Sequence, residues 1–178
     1  MGLTRSQIRS QAQMVVNDTT TRRLSTSEWN DGIALAARQV RHLLLAHDSG
    51  FWEKSTALAS LTLPSDFSQV IAVRNGSSDS VLGKYRVVGN ALNILAGPAL
   101  SNATMFYRRK YADFVDDTSE PDLPDDAHDA VVYVAALQYH LKGGGPVPDA
   151  LVLTAARLVQ ATADEMRTIV GIPLVGGA

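Results

Sequence analysis

Residues 106–141, FYRRKYADFVDDTSEPDLPDDAHDAVVYVAALQYHL, decide how this chain folds. The opening alternates as a strand does. Phe106, Arg108 and Lys110 fall on one side, and Tyr107, Arg109 and Tyr111 fall on the other. From Ala130 the period changes, and Ala130, Val131, Val134, Leu137 and Leu141 line one face of a helix. Eight of the chain's 18 acidic residues lie between, from Asp113 to Asp129, with no Lys or Arg among them. Such a run is either a metal or catalytic site, or a solvated loop that feeds a helix cap.

Local chemistry favours the loop and cap. Pro124 belongs in a first helical turn, where its missing N–H costs nothing. Asp122, Asp125 and Asp126 complement the positive end of the following helix, by ~0.3–1 kcal/mol each. A calcium loop needs alternating carboxylates around a Gly, but 116–122 is DDTSEPD, with a Pro and no Gly. A glycosidase pair needs two carboxylates on rigid elements across a cleft. A carboxylate-dependent hydrolase is therefore a rival that rests on this loop alone.

Upstream, two helices are expected. The first runs from Thr4 to Val16, with Ile8, Ala12, Val15 and Val16 as its apolar stripe. The second starts at Ser25, where Ser25 and Glu28 have capping-box spacing. It carries Trp29, Ile33, Ala36, Ala37, Val40, Leu43 and Leu44 on one face. Residues 55–112 then switch to short alternating runs and turns, including 56–63, 70–73, 85–88 and 92–95. Gly89-Asn90 suits a tight hairpin. Downstream, Pro148-Asp149 starts a last helix with Leu151, Ala155, Leu158, Thr162, Met166 and Ile169 on one face. An apolar tail, Ile172, Leu174 and Val175 among it, follows Gly171.

The expected fold class is α+β. It comprises a four-helix bundle, two helices N-terminal and two C-terminal, with an inserted small antiparallel β lobe. Its boundaries are 1–50 for the N-terminal helices, 51–112 for the lobe, 113–170 for the acidic loop and C-terminal helices, and 171–178 for the tail.

Charge is uneven. Residues 1–112 carry +6, residues 113–129 carry −8 and residues 130–178 balance at zero, for a net −2. Complementary surfaces of this kind suit contact between copies. The chain has no cysteine, which removes disulfides, thiolate metal sites and cysteine nucleophiles. It carries no signal-peptide apolar core and no membrane-length apolar run, so a soluble protein made in the cytoplasm is expected.

His128 and His140 lie twelve apart on one helix, too far to share a metal, and are expected at a surface or interface. No Gly-x-Ser-x-Gly, phosphate loop or dinucleotide fingerprint is present. No catalytic residue, metal or cofactor is assigned. Arg108 and Lys110 suit a solvated strand face or a partner for the nearby acids, or at most non-specific contact with DNA.

The order of motifs carries a resemblance. Two helices precede Gly50-Phe51-Trp52, and Leu61 to Phe67 reads LTLPSDF. Then come a strand with Tyr107 and Tyr111, Pro121 to Asp125 as PDLPD, and an Ala- and Val-rich helix with Tyr133 and Tyr139. From about Ser25 to Gly171 this resembles the head-to-tail connector proteins of tailed bacteriophages, and within them the tail-tube adaptor type of short-tailed phages.

The resemblance implies a structural virion protein of the neck and no enzyme. It implies a homo-oligomeric ring, dodecameric in relatives, bound beneath the portal protein after DNA packaging. That ring would offer a platform to the downstream tail or nozzle protein and touch DNA in the channel at most non-specifically. Some relatives carry longer extensions after the last helix, which clasp the portal. A tail-completion or tail-terminator protein is the nearest alternative, and a sugar-binding β module a more distant one. Asp113, Asp116, Asp117, Arg108, Lys110, Ile172, Leu174 and Val175 are the expected partner-interface residues.

Overall fold

The computed structural model describes residues 2–18, 23–47, 50–58, 62–75, 84–96, 103–112, 114–143 and 146–169. These mix helix and strand in an α+β arrangement, with four α-helices and five strands in small sheets among them. Contacts divide the chain into two compact units, Met1–Phe51 with Ala112–Ala178, and Trp52–Tyr111.

The helical unit holds α1 (Arg5–Val15), α2 (Thr26–His47), α3 (His128–Gly143) and α4 (Asp149–Ile169). Caps set the first two starts. The Thr4 hydroxyl accepts from Gln7 N–H while the Gln7 side chain accepts from Thr4 N–H at 2.8 Å, a full capping box. Ser25 and Glu28 repeat the device, with Ser25 N–H donating to Glu28 Oε2 at 2.8 Å.

The helix α3 packs against each of the other three. Its burial follows: Ala130, Val131, Val132, Val134, Ala135 and Ala136 are all buried, so small side chains let neighbouring helices approach on several sides. Trp29 of α2 stacks on Tyr139 of α3, ring centroids 5.2 Å apart and 15° from parallel. The predicted stripes shift in places. On α1 Gln13 is buried and Val15 is exposed, and on α2 Leu43 is exposed. On α4 Val159 and Ala163 are buried beside Leu151, Ala155, Thr162 and Met166, while Leu158 is only partly covered.

The second unit holds β1 (Glu53–Ala57), β2 (Phe67–Asn75), β3 (Lys84–Val88), β4 (Ala91–Ala96) and β5 (Ala103–Arg109). The strand β5 is central in a three-stranded antiparallel sheet of order β1-β5-β2, and β3-β4 form a hairpin. Of the strand expected over 56–63, Thr56 and Ala57 belong to β1, whose pairing with β5 runs from Glu53↔Arg108 to Ala57↔Thr104, and residues 59–61 lie outside the described residues. Gly89, at φ +60, opens the two-residue turn between Val88 and Ala91, where a left-handed first residue matches strand twist. Ala103, Met105 and Tyr107 turn inward from β5 onto Leu58, Leu63, Val73 and Leu92, which form the core of this unit.

Candidate functional site

The acidic loop is held by bonds to its own chain. Asp116 closes a tight turn: its Oδ1 accepts from Thr118 N–H at 2.9 Å, Thr118 hydroxyl at 2.7 Å and Ser119 N–H at 2.7 Å. These donors, the Thr118 hydroxyl foremost, hold its carboxyl below the usual range. Asp116 is exposed, and Val115 beside it, at 68%, is the most exposed large apolar residue among the described residues.

Asp117 bonds to α1 instead. Arg9 donates to it through Nη1 and Nη2, both at 2.9 Å, and Arg5 donates through Nε at 3.2 Å. Arg5 and Arg9 are one helical turn apart, so both reach one carboxylate. Arg9 also donates to Asn30 Oδ1 on α2 at 2.6 Å. The Arg9 hydrogen bonds, with help from Arg5, pull the Asp117 carboxyl down to about 2. The loop backbone completes the dock. Ser119 C=O accepts from Arg5 N–H at 2.9 Å and Asp117 C=O from Ser6 N–H at 3.2 Å, which satisfies open donors of the first turn of α1.

Two expectations need correction here. Asp122 does not cap the helix; its Oδ2 accepts from Ala112 N–H at 2.9 Å and so ties the start of the loop to its end. Pro124 precedes a short 3-10 turn, Asp125–Ala127, that runs into α3. His128, expected at a surface, is 1% exposed. Its Nδ1 accepts from Leu3 N–H at 2.7 Å. Gly2 lies against the same ring. A Cβ on Gly2 would sit 2.5 Å from His128 Cε1 and 2.6 Å from Glu120 Oε2. A histidine is buried because a backbone donor 125 residues away needs an acceptor, and no local pattern reports that.

Of the other expected interface residues, Arg108 and Lys110 belong to the β unit. Arg108 is partly buried, with a Nε closed off from solvent and no hydrogen-bond partner for it among the described residues. Lys110 is exposed and its Nζ reaches Ser65 C=O at 3.4 Å. Asp113, Ile172, Leu174 and Val175 lie outside the described residues. The structure thus places Asp116 and Asp117 on one turn with different partners, Thr118 and Ser119 of the turn itself for the first and Arg5 and Arg9 of α1 for the second.

An open groove of about 870 Å³ runs between α2, α3 and α4. Leu43, Leu137, Val152 and Val159 line it, together with the polar Arg38 and His42. Leu43 and Val152 are 48% and 45% exposed. Sequence reading missed this groove, since it placed Leu43 on the buried face of α2. One signal was present: Val152 and Leu153 sit outside the predicted stripe of α4 and add apolar residues beyond what one face needs.

Among the described residues no group of three or more His, Cys, Asp or Glu side chains is placed to hold a metal ion. Among them, too, no helix is long and apolar enough to cross a membrane. No protein-family model matches this chain, and no curated protein matches it in sequence.

Proposed function

We propose that this chain is a structural subunit of a tailed-phage neck, a head-to-tail adaptor that forms a ring beneath the portal protein. The observation that carries the reading is the layout: a β unit of residues 52–111 set between α2 and α3 of a helical unit. The four helices are read as a bundle, with α3 at its centre, and the β unit as its inserted lobe. In this reading the ring stands in the virion neck, and the downstream tail or nozzle protein docks on its far side. DNA passing through the ring meets Arg108 and Lys110 at most as a non-specific polyanion.

The internal use of the loop carboxylates supports a structural role over a hydrolase. Asp117 is engaged by two arginines and Asp116 by its own turn. A nucleophile or general base needs a carboxylate aimed at a substrate cleft. The deciding experiment is native mass and negative-stain imaging of the protein mixed with the portal of its phage. A ring bound to the portal is expected. Binding to a tail tube in place of the portal would support a tail-completion or terminator protein, and a monomer that binds neither would overturn the reading.

A further inference from the structure

We propose that residues 114–116 of one copy seat in the α2–α3–α4 groove of the next copy, with Val115 among its apolar side chains and Asp116 facing Arg38 and His42. The inference rests on the ring reading above and names the surfaces that join its subunits.

Three observations carry it. The groove is lined mainly by apolar side chains and keeps Leu43 and Val152 about half exposed, so a side chain seated there would remove both from water. Charge matches across the contact. Arg38 is an exposed lining residue of the groove and makes no ion pair among the described residues, while Asp116 is an exposed carboxylate in the acidic loop.

The loop is also built in advance. Three hydrogen bonds to Asp116 and the Arg5–Asp117–Arg9 clamp hold the turn, so little ordering remains to be done on docking. Val115 presents 68% of its surface beside that fixed turn. Loop and groove are different surfaces of one helical unit. A contact that joins them between copies is heterologous, and repetition closes a ring when the rotation allows.

The chain contains no cysteine, which makes a cross-linking test clean. The full-length single variants V115C and V152C, both at exposed positions, are mixed in equal amounts and treated with a short bis-maleimide. Docking raises the local concentration of the two thiols, so the V115C–V152C product is expected in roughly tenfold excess over either self-linked dimer. The double variant should give a ladder of covalent multimers, and R38E added to the V152C copy should lower the mixed yield severalfold.

Native mass of the untreated protein separates the failures. Rings with no mixed product, or with V115C–V115C as the main one, would overturn this interface and leave the ring reading standing. Monomer at every concentration, with the portal added as well as without it, and no cross-link would overturn both. Preferential capture of V152C by L174C would assign the groove to the 172–175 segment and overturn the loop as its occupant.

Discussion

Asp117 and Arg9 meet through two hydrogen bonds of 2.9 Å each, across 108 residues of sequence. The planar guanidinium matches the carboxylate fork, so the pair fixes angle as well as distance. Because Arg9 also holds Asn30, one carboxylate on the acidic loop orients both α1 and α2.

Acid should therefore loosen this clamp. The folded-state value of Asp117 is depressed to about 2 from an ordinary 3.8, so folding favours the ionised form. Its contribution is complete above about pH 5 and is lost as pH falls through 4 toward 2. In thermal melts across that range the wild type should lose stability more steeply than D117N, which has no charge to lose. Parallel profiles would show that the clamp contributes nothing. The carboxylate is about half exposed, so added salt should shrink the difference.

Gly2 is required by proximity to His128. G2A places a methyl group 2.5 Å from a ring atom that is itself buried. We expect a cost of ~1–3 kcal/mol in urea unfolding, the usual range for overpacking. H128A removes the acceptor of Leu3 N–H as well as the ring, and should cost roughly 2–4 kcal/mol. Wild-type stability of either variant would mean that residues 2–4 do not dock on α3.

The Trp29–Tyr139 stack predicts a split between two variants. W29A empties a fully buried site and should cost ~3–5 kcal/mol. W29F keeps most of the ring contact. The indole Nε1 of Trp29 has no hydrogen-bond partner among the described residues, so its loss breaks no bond. W29F should therefore cost well under half as much in the same assay.

In the β unit, Tyr107 hydroxyl donates to Asp66 Oδ1 at 3.0 Å while Lys54 Nζ donates to Oδ2 at 2.7 Å. Burial pushes the Tyr107 hydroxyl up, with Asp66 adding to it, so the bond stays protonated through neutral pH. Y107F should cost ~1.5–3 kcal/mol, as for a hydrogen bond to a charged group. Near-UV circular dichroism checks that the core around Met105 and Leu92 is kept.

What sequence reading found, and what it missed, follows the range of each interaction. The Ser25–Glu28 capping box is three residues wide and was visible directly. The alternation of β5 was visible because one face of that strand is buried throughout and the other is not. The end of β1 was not, because its register is set by Arg108 and Thr104, about fifty residues downstream. His128 and Asp117 read as surface groups because their partners, Leu3, Arg5 and Arg9, are more than a hundred residues away. The helical unit is stitched by such polar contacts, whereas apolar periodicity reports only on which side of an element is covered.

The anchoring of α1 has a consequence for synthesis. Arg5 and Arg9 are made more than a hundred residues before Asp117 and His128, the groups that hold this end of the chain. At ordinary translation rates of roughly 5–20 residues per second, that interval lasts many seconds. Throughout it, Ile8 and Ala12 have no α3 to cover them, and the β unit emerges first. The helix α1 is thus secured only when the acidic loop follows it out of the ribosome. Ribosome-bound chains halted before Asp117 should be cut by protease near α1, and chains extended past α3 should resist.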